Sequence, residues 1–499
     1  MSETVRIAVI HMDIAHGAPE RNRAMLVSLA HEAANGGAQI IVAPELAISG
    51  YSFAGREAVA DYVEELEGQT FQALSAVAAE RAVYCCAGFA ETDRIGIYHN
   101  SAMAVGPNGQ LVAHHRKRVC EKRWAAPGSG GGSVFDTPWG RVGMLICADT
   151  YYGILARSLA LQGAELALVL ANWPAGALDP RDIWRARCLE NGFGLVAANR
   201  TGQDLTMDCR NAPCFALTPE GRVLLNETAP DTRIHLIDYP LAEGRFCRKR
   251  VDSILSGRSP TDYADISLDM NGMEDVSTLW GLPQPGTLNI CALTRQDGED
   301  PLDGLRNQVM KCAEPTVIVM PGGAPLSVHC LQSAIGFHPV MVCAQVLFPG
   351  EQHPCLALVA ERQIMRLPDN ENSIQIDFGP ARVALVAPDA LRHPEQSLAL
   401  SKRGCDLLVT SSGHLDDDDR LVMGIKCIDR VAVAMAADNG AAVYLPPDGH
   451  SCWQVAGCGG GGSFCSLTVD TARLRKKHFM DRVDMGLLLE RTGGVMANA

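Results

Sequence analysis

Short apolar runs alternate with longer amphipathic stretches from the start of the chain. Val5–Ile10 is a brief, mainly apolar run, and Glu20–Asn35 then carries Met25, Leu26, Leu29, Ala30 and Ala33 at helical spacing until Gly36-Gly37 stops it. Gln39–Ala43 reads as a second strand, closed by Pro44. Arg56–Arg81 reads as a helical region broken near Gly68, and Val83–Phe89 as a strand. Val142–Ile146, Leu166–Ala171 and Gly194–Ala198 are further runs of the buried-strand kind, separated by helical segments at Ile154–Gln162 and Pro180–Asn191. This alternation predicts an α/β fold with helices covering sheets.

A segment rich in Asp, Asn, Gly and Pro follows at Ile266–Pro285 and reads as a linker. Beyond it the pattern restarts. Gly286–Thr294 opens like Val5–Asp13, Val317–Pro321 parallels Ile40–Pro44, and Arg382–Val386 parallels Arg141–Leu145. Ser397–Thr410 (SLALSKRGCDLLVT) echoes Ser158–Leu170 (SLALQGAELALVL) with one inserted residue, and Lys426–Asn439 echoes Arg187–Arg200. Matching blocks in the same order indicate a degenerate tandem duplication of one fold.

Composition narrows the class. Of 499 residues 47% are hydrophobic and 20% charged, as in folded globular chains. A formal charge of −14 disfavours nucleic acid and anionic membrane as partners, since both select clustered Lys and Arg. No apolar run approaches the roughly 18 residues of a membrane span, and the polar start of the chain does not read as a signal peptide. Eighteen cysteines in so long a chain suggest reduced thiols and a cytoplasmic location.

Three polar residues stand where strands should end, the place where α/β sheets present reactive groups. Glu45 follows IIVAP, Lys117 follows LVAHH within HHRKRV, and Cys147 ends RVGMLIC before ADTYYG. A thiol at a strand-to-helix turn lies near N–H groups that favour thiolate. A carboxylate can take its proton and return one to a leaving amine, and a lysine with a backbone N–H, here that of Ala148, can hold an oxyanion. Singly, each has a plainer reading: Cys147 as an inert buried thiol, Glu45 as a helix-start carboxylate, Lys117 as part of a solvated basic cluster with Arg116 and Arg118.

Order and surroundings decide between these readings. PELAISGY (Pro44–Tyr51), HRK (His115–Lys117), EKRWAAPG (Glu121–Gly128), GMLICAD (Gly143–Asp149) and WRARCLENGFGLVAANRTG (Trp184–Gly202) occur in sequence, closing with GRSPTDY (Gly257–Tyr263). Together they resemble the nitrilase superfamily of carbon–nitrogen hydrolases. The resemblance implies Glu45 as general base, Lys117 as the oxyanion-holding lysine, Cys147 as nucleophile and Glu121 as a supporting second glutamate. It also implies an α-β-β-α sandwich that pairs into a four-layer dimer, and no metal or organic cofactor. Tyr51, Asn172 and Trp173 are candidate substrate-binding residues. The gap from Lys117 to Glu121 is shorter than in typical members, and Ala148-Asp149 stands where nitrile-hydrolysing members usually have Trp-Glu, which favours amide or carbamoyl substrates.

The expected organisation is therefore a catalytic domain over 1–265, a linker at 266–285, a degenerate nitrilase-like domain over 286–480 and a tail at 481–499. The two sandwiches are expected to form an intramolecular pseudo-dimer, whose stacking into homo-oligomers is left open. In the second half Gly322 stands in the place of Glu45, and Ala387 or Pro388 in that of Cys147. His450, Cys452, Cys458 and Cys465 match no standard zinc spacing, and the glycine runs Gly130–Gly132 and Gly459–Gly462 lack a phosphate-loop ending. The function expected is hydrolysis of a small linear amide or N-carbamoyl compound. Nitrile hydrolysis, acyl transfer to an amine and a non-catalytic binding or scaffolding role are the alternatives.

Overall fold

The computed structural model describes residues 3–129, 133–176, 178–270, 275–295, 300–323, 325–447, 453–459, 464–477 and 483–490. The chain divides into two compact units, Met1–Ser256 with Arg482–Leu488, and Gly257–Asp481 with Leu489–Ala499.

The first unit holds two six-stranded sheets. One contains β1 (Thr4–His11), β2 (Ile40–Val42), β3 (Tyr84–Thr92), β4 (Tyr98–Val105), β5 (Leu111–Arg116) and β12 (Arg233–Pro240), in the order β12-β1-β2-β3-β4-β5. The other contains β6 (Ser133–Thr137), β7 (Gly140–Ile146), β8 (Leu166–Ala171), β9 (Gly194–Asn199), β10 (Cys214–Leu217) and β11 (Val223–Glu227), in reverse chain order from β11 to β6. In both sheets the central pairs are parallel and the outer ones antiparallel.

The helical signals are realised closely. The helix Pro19–Asn35 begins with proline at its first turn and buries Leu26, Ala30 and Ala33 against Ala8, Ile10 and Ile41. Burying a leucine such as Leu26 contributes about 2 kcal/mol. The helix Pro180–Asn191 is capped by Asp179, which accepts from the Arg181 N–H, and ends at Gly192 with φ 73°. Arg56–Arg81 departs from expectation. Only Arg56–Val59 and Ala60–Tyr62 are helical before Gly68, Glu64 makes a bridge to Glu91, and the regular helix is Gln69–Arg81. Val63 is extended because its stretch is recruited as an edge partner of β3, which overrides local helical preference.

The second unit repeats this plan. Its sheets have parallel centres at Thr287–Leu293, Thr316–Val319 and Val340–Leu347, and at Ala381–Val386, Leu407–Ser411 and Ala432–Ala437, flanked by antiparallel strands. Leu288, Ile290, Val317, Val383, Leu407 and Ala434 join a core shared by both sheets, and Leu305, Leu331, Leu400 and Met423 belong to the helix-side cores. The stretch read as a linker is tied to this unit. The Lys402 ammonium donates to the Ile266 and Leu268 carbonyls at 2.8 and 2.7 Å, and the Trp280 indole to the Lys402 carbonyl at 2.7 Å. Among the described residues no helix is long and apolar enough to cross a membrane.

Candidate active site

The segment after β2 runs along β3, with the Ala47 N–H on the Gly88 carbonyl and the Gly88 N–H on the Pro44 carbonyl. A Cβ on Gly88 would lie 2.7 Å from Glu45 Cα and 2.6 Å from Leu46 N, so only glycine lets this turn close on the strand. Leu46 adopts φ 44° in the same turn. Glu45 is fully buried by it.

Every oxygen of that carboxylate is used. Glu45 Oε1 accepts from Lys117 Nζ at 2.6 Å and from Asn100 Nδ2 at 2.7 Å, and Oε2 accepts from the Asn172 N–H at 2.9 Å. Asn172 Nδ2 also donates to the Glu45 carbonyl at 3.0 Å. Lys117 follows β5 and is held by its N–H on the Asn100 carbonyl and its carbonyl on the Gly128 N–H. Its ammonium reaches Glu121 Oε1 as well, and Asn100 Nδ2 bridges to Glu121 Oε2 at 2.9 Å. The short Lys117–Glu121 gap forms a turn that brings both ends to the same place. The Tyr51 ring centroid lies 5.8 Å from Lys117 Nζ.

Cys147 directly follows β7 and opens the 3-10 turn Cys147–Tyr151 with φ 46°, a strained value for a residue other than glycine. Its carbonyl accepts from the Thr150 hydroxyl at 2.7 Å. Asp149 anchors this turn to the lysine strand. Its carboxylate accepts from the Arg118 and Val119 N–H groups at 2.9 and 3.0 Å, from His115 Nε2 at 2.8 Å and from the Ile146 N–H at 3.2 Å. Burial is the largest single effect and works against that charge, but the bond and charge of His115, the Val119 N–H and Lys117 together outweigh it and hold the Asp149 carboxyl below its usual range.

The electrostatics correct one expectation. Burial, then the charge of Glu45, push the Cys147 thiol well up, while Lys117 and the Asn172 N–H oppose them. The helix Gly153–Leu161 starts beyond the turn, and burial prevails at the sulfur. Burial raises the Glu45 carboxyl too, opposed by Lys117 and reinforced by Glu121. Lys117 goes up despite burial, because Glu121 and Glu45 flank it.

Glu45, Lys117, Glu121, Tyr51 and Asn172 thus converge with Cys147. Ala148 is the half-exposed next residue of the turn. Trp173 is turned to packing. Its indole donates to the Leu178 carbonyl at 3.2 Å, and its ring meets Trp184 edge-on at 6.3 Å. Cys120 donates to the Ala125 carbonyl at 3.2 Å, and the buried Cys85 thiol is pushed up to about 12. Asn100 is absent from the sequence expectations, and Asp149 enters them only as a mark of amide preference, not as the anchor of the cysteine turn. Asn100 stands among Tyr98, His99 and Ser101 in the polar first half of its strand, so nothing in the sequence singled it out.

Residues 6–244 match the carbon–nitrogen hydrolase family. A nitrilase of Pyrococcus abyssi is 34% identical over 246 residues, covering 48% of this chain and 92% of its own. A probable nitrilase of Schizosaccharomyces pombe is 34% identical over 271 residues (52% and 95%), and an omega-amidase of Mus musculus 28% over 246 residues (46% and 87%). Among solved structures, a Nesterenkonia amidase of the nitrilase superfamily aligns with TM-score 0.43 at 21% identity, over 48% of this chain and 92% of that one. The chain belongs to the carbon–nitrogen hydrolase family. It is an enzyme of carbon–nitrogen bond cleavage.

The second unit offers no equivalent cluster at the matching positions. A Cβ on Gly322, in the place of Glu45, would lie 2.6 Å from the Ser412 carbonyl carbon, and the Gly322 N–H already bonds the Ser412 carbonyl at 2.8 Å. Val142 pairs with Leu166 and Val383 with Leu407, so the register puts Pro388, rather than Ala387, in the place of Cys147. Between Val340 and Val386 the sequence has no lysine. His450, Cys452 and Gly130–Gly132 lie outside the described residues, and among those described no group of three or more His, Cys, Asp or Glu could hold a metal ion.

Proposed function

We propose that the first unit hydrolyses a small linear amide or N-carbamoyl compound through Cys147, Glu45 and Lys117. One observation carries this: a single buried ammonium lies between two carboxylates, and the Asn172 N–H joins Glu45 to the cysteine sulfur. Because the resting thiol is held protonated, Glu45 takes its proton as the sulfur attacks the substrate carbonyl carbon. Lys117 and the Ala148 N–H hold the developing oxyanion. The carbon–nitrogen bond breaks as Glu45 returns the proton to the departing ammonia or amine, leaving a thioester. Glu45 then deprotonates a water, which attacks the acyl carbon; the carbon–sulfur bond breaks, the carboxylic acid (carbamic acid from a carbamoyl group) leaves, and the Cys147 sulfur takes back the proton from Glu45. Glu121 and Asn100 keep Lys117 and Glu45 in register, and Tyr51 walls the ammonium side.

The omega-amidase relative supports the amide reading, and Asp149, wholly occupied in fixing the turn, fits the Ala148-Asp149 sequence that favoured amides over nitriles. Ammonia release across linear amides, ureido acids and nitriles tests it. Turnover of amides or ureido acids, lost by about 10³-fold or more in Cys147→Ala, is the expected result. Turnover of nitriles alone would transfer the site to nitrile hydrolysis. Turnover surviving in the folded variant would remove the proposal, and acyl capture by added amine would make the enzyme a transferase.

A further inference from the structure

The second unit brings a different pair of thiols together. Cys458 lies on the edge strand Gln454–Gly459 of one sheet, where it pairs with Ala441. Cys465 lies on the edge strand Phe464–Asp470 of the other sheet, where it pairs with Ala292. The two side chains pack against the same core between the sheets, Cys458 half-buried and Cys465 7% exposed, with Cys465 in hydrogen-bonding reach of Cys458. Cys458 is further surrounded by donors and positive charge: the Ala441 N–H, the Thr294 hydroxyl and the guanidinium of Arg420. The two cysteines stand seven residues apart in the sequence.

We propose that Cys458 and Cys465 are a peroxide-oxidised dithiol, with Cys458 the attacking sulfur and Cys465 the resolving one. The Cys458 sulfur attacks a peroxide oxygen, forming an S–O bond as the O–O bond breaks and water leaves. The resulting sulfenic acid is attacked by the Cys465 sulfur, the S–S bond forms, the S–O bond breaks and a second water leaves. Two thiols and one hydrogen peroxide give one disulfide and two waters, so the peroxide supplies the whole oxidising equivalent. The surroundings support this direction. The bond from Cys465 leads in lowering the Cys458 thiol to about 7, whereas the same contact and burial push Cys465 up. The nucleophile of the first unit is held protonated by its burial. At neutral pH the oxidant therefore finds a thiolate at Cys458 before it finds one at Cys147.

The experiment treats the full chain with one equivalent of hydrogen peroxide at pH 7, caps remaining thiols with N-ethylmaleimide and maps peptides without reduction. The expected product is a 458–465 link, two hydrogens lighter and closed to alkylation. Cys458→Ser should slow oxidation about tenfold. Cys465→Ser should still oxidise but stop at a Cys458 sulfenic acid captured by dimedone. Neither residue belongs to the proposed catalytic machinery, so hydrolase activity and circular dichroism of both variants check that they are folded. A link to Cys452, first oxidation at Cys147, or unchanged oxidation rates in folded Cys458→Ser would overturn the assignment. If the serine variants fail to fold, iodoacetamide labelling of the unaltered chain decides instead: Cys458 should label with a midpoint near pH 7, and a midpoint at the ordinary thiol value would overturn it.

Discussion

In the resting site the Cys147 sulfur and the Glu45 carboxyl are both raised, chiefly by burial, around a lysine that stays charged. The proposed mechanism needs Glu45 as carboxylate, and a raised carboxyl reaches that form only at higher pH. The acid limb of kcat/KM should therefore lie above 4.5, the ordinary glutamate value, with activity falling as pH drops through it. A pH–rate profile checks this, and a limb at or below 4.5 would contradict the assignment of Glu45 as base. Asn100 gives a second test. Its amide donates to both Glu45 and Glu121, and a hydrogen bond to a charged group contributes about 1.5–3 kcal/mol. Asn100→Ala should lower kcat by roughly 10–100-fold with little change in KM, since the residue positions the acid and lysine without serving the substrate directly. Unchanged kcat in steady-state assays would mean that Lys117 and Asn172 alone hold Glu45.

Strand ends and turns decide where those side chains go, and they were unequally legible in the chain. β2 and β7 were readable because their apolar runs stop abruptly at a polar residue, and the helix Pro180–Asn191 because Asp179, Pro180 and Gly192 mark both ends. The stretch 56–68 was not, because its extended portion depends on pairing with β3, a partner distant in sequence. Likewise Glu45, Lys117 and Cys147 carry their own sequence context, whereas Asn100 and Asp149 matter through neighbours that only the folded turn assembles. Gly88 shows the same dependence on long-range packing. Gly88→Ala would drive a methyl into the Glu45 backbone, so it should cut activity more than tenfold while Ala87→Gly, outside that contact, leaves the turn in place. Equal activities in the two variants would count against a rigid Glu45 turn. On the same strand Glu91 accepts from His114, Arg116 and the Ser101 hydroxyl, and despite burial these partners lower its carboxyl to about 2. A depressed carboxyl stabilises the fold above its unfolded value and loses that contribution as pH falls toward 2. Denaturant unfolding should show Glu91→Gln weaker by about 3 kcal/mol at pH 7, with the gap closing in acid. A gap independent of pH would assign the loss to packing.

At the scale of the whole chain, duplication of the sheet plan has not duplicated the site. Backbone fills the space beside Gly322 and a proline occupies the register position of the cysteine, so the matching places in the second unit lack both carboxylate and sulfur. Restoring the letters should not restore the chemistry. A Gly322→Glu side chain must displace the Ser412 peptide, and Pro388→Cys would still stand without a lysine. Labelling with a haloacetamide that mimics the substrate amide counts the sites directly. A substrate amide should block one label per chain, at Cys147, while leaving the label at half-exposed Cys458 untouched, because only the first is shielded by a bound acyl group. The double variant Gly322→Glu/Pro388→Cys should keep a count of one substrate-protected label. Two protected labels in the unaltered chain would show that the second unit binds the substrate through residues other than the counterparts of Glu45, Lys117 and Cys147, and its role would then have to be rebuilt from those.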